Sequence, residues 1–498
     1  MSSSKTSALA PSSVPAGDVT EFRGNDRLLF GIIMGVLTFW LFAQTTLNVA
    51  PDMQKDLGVG TSLMNIAVAI TALFSGIFIV FIGGLADRIG RVRIVMAGFV
   101  LSIIGSLLIG FAPGGALAAY FLLPGRALQG LSGACIMPAS LALVKAFWDG
   151  EARQRAVSMW SIGSWGGSGV CSLFGGFVAQ NFGWRWIFFA TVAVALLGMT
   201  LMRGTPESKA EGQSSGKFDL AGVLTFMVAM IALQILVTQG NQLGWTSPLV
   251  LSLAAVTLVF GWLFFRIEAR HENAFVDFKL FRNPTYTGAT ISNFMLNGAA
   301  GTLLVSLQLV QRGGNMTAQQ AGMLTLGYAI AIIAFIRVGE KLLQRFGARK
   351  PMIQGCVITG ISILLLMPSN LILLDYEHLA IIGYTLYGIG LAFYATPSTD
   401  AALSSLPADQ VGSGAGIYKM ASSLGAAFGV AISAAIFAAF SANPAAINWL
   451  DGVVTFQGRQ DNLAIREAAI VALAFNVFMV LVAIVSIMLT VPKGKKSA

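Results

Sequence analysis

Two cations stand deep inside apolar stretches of this 498-residue chain, Arg126 in the run 117–144 and Lys419 in the run 411–440. A charge at the depth of a hydrocarbon layer costs about 3 kcal/mol or more, so such a residue marks a solute or ion pathway unless its neighbours satisfy it. Arg and Lys both hold anions, the first as a planar fork and the second as a compact point charge. Uncharged polar groups share the same kind of setting. The stretch "FWLFAQTTLNVAPDM" carries Gln44, Thr45, Thr46 and Asn48. Asn293 and Asn297, four apart, share one helix face. Tyr418 adjoins Lys419, and Trp165 and Tyr387, with Trp160 and Tyr394, offer aromatic walls. The candidate substrate-binding set is therefore Gln44, Asn48, Arg126, Trp165, Asn293, Asn297, Tyr387, Tyr418 and Lys419. A cavity lined by Gln44, Asn48, Arg126 and Lys419 is neutral or positive, which suits an anion or a polar heterocycle and repels lipophilic cations. Each has a structural alternative: hydrogen bonds between helices for the polar stretch, backbone carbonyls around Arg126, and snorkelling for Lys419.

The complementary groups are missing. All 22 Asp and Glu residues fall in tails, in loops or near the ends of apolar runs, and His271 and His378 lie in loops. Cys135, Cys171 and Cys356 fall inside apolar runs without metal-ligand spacing. The sequence therefore implies no metal centre, no cofactor and no enzymatic constellation. Asp87, Glu340 and Asp400 are the carboxylates left to carry a proton, and protons are the candidate coupling ion.

The elements that position these residues follow from composition. A chain that is 56% hydrophobic and 11% charged, with a mean hydropathy of +0.76, is a polytopic membrane protein. Runs of roughly 20 apolar residues, enough to cross about 30 Å of hydrocarbon, occur at 28–50, 62–84, 94–112, 117–144, 156–179, 184–203, 219–239, 247–266, 286–310, 318–338, 352–370, 379–398, 411–440 and 466–491. The expected fold class is all-α, with 14 transmembrane helices. Most of the 31 Lys and Arg residues fall in alternate connections and in the tails, which places both termini in the cytoplasm. The net charge of +9 is then a consequence of topology and needs no nucleic-acid partner. Residues 1–27 read as a disordered cytoplasmic tail without a cleavable signal peptide.

An internal repeat links the second and tenth runs: "GGLADRIGRVR" (Gly83 to Arg93) returns as "EKLLQRFGARK" (Glu340 to Lys350). In the first copy Gly83 and Gly90 permit a tight turn, and Asp87 can receive hydrogen bonds at a helix N-terminus or pair with Arg88 or Arg91. These five residues, Gly83, Asp87, Arg88, Gly90 and Arg91, form the candidate gating loop. The first copy resembles the signature loop of the major facilitator superfamily. "RALQG" (Arg126 to Gly130), "GWRWIFF" (Gly183 to Phe189), "FDLAG" (Phe218 to Gly222) and "DFKLFRNPTY" (Asp277 to Tyr286) are similar to its fourteen-helix drug:proton antiporter branch.

The resemblance implies two six-helix bundles around a central site, with an inserted helix pair and alternating access. It divides the chain into a tail at 1–27, a first bundle at 28–203, a connection at 204–217, the inserted pair at 218–267, a second bundle at 268–492 and a cytoplasmic tail at 493–498. It also implies a role for Arg126 in proton coupling or cargo binding. Two positions depart from the branch. The acid expected five residues before Asn48 is Ala43, with Gln44 beside it, and Cys171 and Ser172 replace a Gly-Pro pair ahead of Gly175 and Gly176. On these departures the leading expectation is uptake of a polar or anionic nutrient, a vitamin-like or aromatic heterocycle such as riboflavin. Proton-coupled multidrug efflux is the alternative, and a transporter-like receptor the third reading. The expected setting is the cell inner membrane, as a monomer, with a small organic solute as partner. No Gly-Lys-Ser/Thr nucleotide loop supports an ATP-driven pump.

Overall fold

The structure, a computed structural model, describes residues 23–209, 219–270, 278–316, 318–369, 375–443 and 461–493. Those residues form seventeen α-helices and no strand. The first group is α1 (Asp26–Leu57), α2 (Thr61–Ile89), α3 (Arg91–Gly110), α4 (Ala118–Phe147), α5 (Gly150–Ser161), α6 (Gly167–Phe182) and α7 (Arg185–Met202). A pair follows, α8 (Leu220–Leu243) and α9 (Pro248–Glu268). The second group is α10 (Pro284–Gly298), α11 (Gly301–Gln308), α12 (Ala318–Leu324), α13 (Leu326–Phe346), α14 (Arg349–Leu366), α15 (Asp375–Ser404), α16 (Val411–Ala442) and α17 (Leu463–Thr490).

Every apolar run marked in the sequence falls mainly on helix over its described residues. Among the described residues, 11 helical stretches are long and apolar enough to cross a membrane. The runs 28–50, 156–179 and 219–239 are helical but outside that number, and each includes side chains outside the described set.

Local chemistry sets the helix starts. The Asn25 side chain accepts from the Leu28 amide at 2.8 Å to open α1. Ser247 and Asn283 cap α9 and α10, each followed by a proline at the first helical position, where a missing N–H costs nothing.

Three runs expected as single helices are broken. A π-helical turn at Ile162–Gly166 separates α5 from α6, and another at Leu309–Gly313 follows α11. Thr325 separates α12 from α13. The proline missing from the fifth run is therefore no sign of an unbroken helix, because a π-turn inserts one residue and interrupts the ladder without it. Hydropathy averaged over a turn carries no trace of a single inserted residue.

Within the first group α1 packs on α6 and α7, α4 packs on α2 and α3, and α3 also packs on α7. Within the second, α13, α14 and α15 form one cluster and α10, α16 and α17 another. Small residues allow this closeness: a Cβ at Gly425 or Gly429 of α16 would strike the backbone of Phe294 or Gly298 in α10. The groups meet where α16 crosses α2 and α4 and where α5 reaches α13 and α15. The α8–α9 pair lies beside that seam, with α8 against α2 and α16.

Candidate functional site

A cavity of about 520 Å³ opens between the two groups of helices. Its first wall holds Phe39 and Trp40 of α1, Ser75 and Ile79 of α2, and Ser164 and Trp165 of the first π-turn. Its second wall holds Asn297 of α10, Leu303 and Leu307 of α11, Tyr328 of α13, Tyr387 of α15, and Lys419, Ser422 and Ser423 of α16. The Tyr328 and Tyr387 rings lie 5.8 Å apart, tilted by 55°. The first π-turn, through Ser164 and Trp165, and the breaks at Ala300 and Thr325 face this space, as π-turns and helix ends do at many functional sites.

Among the described residues, Lys419 is the one Lys, Arg, Asp, Glu or His in the lining. Its Nζ lies 4.8 Å from the centre of the Trp160 ring and donates to Ser164 Oγ at 3.4 Å. No carboxylate lies within ion-pair distance of it among the described residues. The cation is held instead by a fixed ring. Trp160 is fully buried, and its Nε1 donates to Ser140 Oγ at 2.9 Å, while that hydroxyl donates to the Met137 carbonyl at 3.0 Å. A short chain of hydrogen bonds in α4 and α5 thus sets the plane on which Lys419 rests. Sequence reasoning placed Trp160 only among aromatic walls and missed Ser140 and Ser164, since no residue type distinguishes an orienting serine from a packing one.

Trp165, Asn297, Tyr387 and Lys419 of the expected set line the cavity. Arg126 does not. It is 1% exposed inside the first group, where Nε donates to the Ala67 carbonyl and Nη1 to Thr46 Oγ1 and Gln129 Oε1, each at 3.0 Å. Gln129 in turn donates to Ser106 Oγ at 3.1 Å. The network ties α1, α2, α3 and α4 together, which corrects the expectation that Arg126 shares a cavity with Lys419. Tyr418 is likewise turned away. Its hydroxyl bonds Ser398 Oγ at 2.9 Å, and its carbonyl accepts from Asn293 Nδ2 at 2.9 Å. Asn293 and Asn297 are joined through the Asn297 Nδ2 group, 2.8 Å from Asn293 Oδ1, and Asn297 alone reaches the cavity. Gln44 and Asn48 lie on α1, and their side chains are outside the described residues.

The polar contacts across the two groups concentrate at the end that carries the repeated basic loops. Asp87, 2% exposed near the end of α2, accepts from the Gly412 amide at 2.7 Å, from the Ser413 amide at 3.1 Å and from Arg91 Nη2 at 2.9 Å. The two amides open α16, where unpaired N–H groups and the helix dipole favour an anion. Arg91 also donates to the Ala408 carbonyl at 3.1 Å. Lys145 of α4 donates to the Leu403 and Leu406 carbonyls at the end of α15, and Arg153 of α5 pairs with Asp400 of α15 at 2.9 Å. Gly83 sits against the Gly412 backbone so closely that a Cβ would strike its carbonyl oxygen. Gly90 holds φ +126 at the turn between α2 and α3, and Gly347 of the second copy holds φ +74. Arg88 is half-buried beside this contact. Glu340 is buried against Arg337 of its own helix. Asp87, Asp400 and Glu340, the expected proton carriers, are absent from the cavity lining.

Residues 28–280 and 285–497 match the profile of the family described as Major Facilitator Superfamily. The quinolone resistance protein NorB of Staphylococcus aureus (strain MRSA252) is 46% identical over 472 residues, covering 95% of this chain and 97% of that relative. The NorB of strain COL matches to the same extent. Two solved structures share the fold. The proton:xylose symporter XylE bound to 6-bromo-6-deoxy-D-glucose superposes with a TM-score of 0.61 at 15% identity, covering 94% of this chain and 96% of that one. The human organic anion transporter MFSD10 (TETRAN) gives 0.60 at 13% identity, covering 91% and 99%. At those identities the structures speak to fold alone. The near full-length match to a drug-resistance protein overturns the expectation of vitamin-like uptake. The absent acid at Ala43 had suggested a change of direction, yet it reports only which charge the first helix lacks.

Proposed function

Since the chain belongs to the major facilitator superfamily, we propose that it is a secondary exporter of amphipathic aromatic drugs that carry a carboxylate, quinolones among them. One observation carries this reading: an apolar, aromatic cavity between the halves whose described lining holds a single cation, Lys419. A quinolone is a flat fused heterocycle with a carboxylate at one edge. Trp165, Tyr328 and Tyr387 match its faces, and Lys419 matches its acid. Drug sites of this kind combine apolar walls with few polar groups that fix orientation. The relative named for quinolone resistance supports both the cargo and the outward direction.

The chain then lies in the cytoplasmic membrane with 14 crossings, two six-helix bundles at 28–203 and 268–492, and the pair at 218–267 against the seam. Both termini and the basic loops face the cytoplasm, as the positive-inside bias requires. The contacts of Asp87, Arg91, Lys145 and Arg153 shut the cytoplasmic end, and opening them admits drug from inside. Lys419 binds the drug's carboxylate, Trp160 fixes the ammonium, and the bundles rock around this point.

The test is steady-state accumulation of norfloxacin in a drug-sensitive bacterial host, with wild-type protein and Lys419→Gln at matched membrane levels. Wild type lowers accumulation several-fold. Loss of a charge-assisted hydrogen bond, about 1.5–3 kcal/mol, makes Lys419→Gln weaker by about tenfold to a hundredfold in apparent affinity. Unchanged accumulation with wild-type protein present in the membrane refutes the reading.

A further inference from the structure

Lys419 points its charge at the first wall of the cavity, toward Ser164 and the Trp160 ring, and the second wall carries an oxygen that can only accept. That oxygen belongs to Asn297 of α10. Asn297 Nδ2 is engaged by two acceptors of its own helix, the Asn293 carbonyl at 2.7 Å and Asn293 Oδ1 at 2.8 Å. Asn293 Nδ2 is engaged in turn by the Tyr418 carbonyl of α16 at 2.9 Å. The nitrogen and oxygen of a side-chain amide are alike in shape, and its partners decide which faces where. This relay is anchored on two backbone carbonyls, which never donate, so neither amide can turn over without setting oxygen against oxygen. The polar atom that Asn297 has left for the cavity is therefore Oδ1, and among the described residues no group donates to it. The hydroxyls and phenols of the lining rotate to donate or accept, whereas this oxygen accepts only.

We propose that Asn297 is the second pole of the drug site: its side-chain carbonyl receives the protonated amine of a zwitterionic drug whose carboxylate rests on Lys419. The inference rests on the proposed export of carboxylate drugs and narrows the cargo to aromatic zwitterions in preference to the corresponding monoanions. A drug with a carboxylate alone satisfies Lys419 but strips water from Asn297 Oδ1 without replacing it, which is unfavourable. A protonated amine at the drug's far end replaces that water with a charge-assisted bond, about twice as strong as a neutral one. Tyr328 and Tyr387 on the same wall offer ring faces that also attract a cation. A cation without a carboxylate meets the Lys419 charge uncompensated, whereas a zwitterion brings its own compensation. Asn293 is a positioning residue: it lies outside the lining and sets which atom of Asn297 faces the drug.

The experiment measures binding to the full chain in lipid nanodiscs at neutral pH by isothermal titration. Norfloxacin brings both the acid and the protonated amine, and N-acetylnorfloxacin keeps the rings and the acid but loses the amine's charge. N-methylnorfloxacin adds bulk and keeps the charge, which controls for size. Nalidixate has the acid alone, and nalidixate methyl ester has neither group. Wild type should bind norfloxacin and its N-methyl form about tenfold or more tighter than N-acetylnorfloxacin, as a hydrogen bond to a charged group provides. Asn297→Leu, which keeps the size of the side chain, and Asn297→Ala should lose this preference while still favouring nalidixate over its ester. Lys419→Gln should do the reverse. Equal binding of norfloxacin and N-acetylnorfloxacin by wild type overturns the inference without need of a variant. So does a preference for the amine that survives in whichever Asn297 variant folds. In both cases a wild-type preference for nalidixate over its ester leaves the export of carboxylate drugs standing. Wild type that binds neither norfloxacin nor nalidixate overturns the inference together with that reading.

Discussion

Replacing Asp87 by Asn should open the basic end. The substitution keeps the shape of the side chain but removes its charge and turns one acceptor into a donor facing the Gly412 and Ser413 amides. The pair with Arg91 sits within one half and is present whether the ends are closed or open. The difference between the two states therefore comes from the bonds that cross the seam. Hydrogen bonds to a charged group are worth about 1.5–3 kcal/mol, and a carboxylate at a helix N-terminus adds about 0.3–2 kcal/mol. Since Asn can retain one acceptor bond to an amide, the expected net loss is about 2–4 kcal/mol, a shift of roughly 30-fold to several hundred-fold toward the open form. Spin labels at Arg93 and Lys341, exposed positions on the two halves, read the separation by double electron–electron resonance. Wild type should give the short distance, and Asp87→Asn a dominant longer one. Identical distance distributions would refute the assignment of Asp87 as the closing contact.

Arg126→Ala should lower the thermal stability of the purified protein by about 3 kcal/mol or more, because a buried hydrogen-bonded network loses its hub. The protein that remains folded should keep its preference between nalidixate and its ester, and a thermal-shift assay paired with binding measurements separates the two effects. Trp160→Phe weakens the cation–π contact and removes the indole bond to Ser140 that sets the plane of the ring, so nalidixate affinity should fall by about threefold to tenfold, as read by tryptophan-independent isothermal titration. Gly83→Val places a side chain against the Gly412 carbonyl and should favour the same opened distance as Asp87→Asn, with the resonance measurement above as its check.

Much of this fold was legible in the sequence because a membrane span is long, uniform and apolar, so each run from 28–50 to 466–491 could be marked from hydropathy alone. The basic loop after α2 was legible for a different reason: Gly83, Asp87, Gly90 and Arg91 serve a turn and a helix end, and both are short-range chemistry. The site was only half legible. Lys419 and Arg126 looked alike as buried cations, and the sequence does not say that Arg126 turns inward onto Ala67 and Thr46 while Lys419 turns toward the seam. Rotation of a helix that is apolar on nearly all faces leaves little periodic signal. The π-turn that brings Ser164 and Trp165 into the cavity is one inserted residue, which no spacing rule detects. The missing acid at Ala43 points toward uptake and the branch resemblance toward efflux, and one absent charge constrains cargo and coupling more than direction.

The most direct measurement is a cryo-electron microscopy structure of the full chain with norfloxacin bound. The account predicts drug density in the cavity, its rings against Trp165 and Tyr387 and its carboxylate within hydrogen-bonding reach of Lys419 Nζ, about 3 Å. Drug density that avoids Lys419, whether beside Arg126 in the first bundle or on the outer face of α8 and α9, would contradict it.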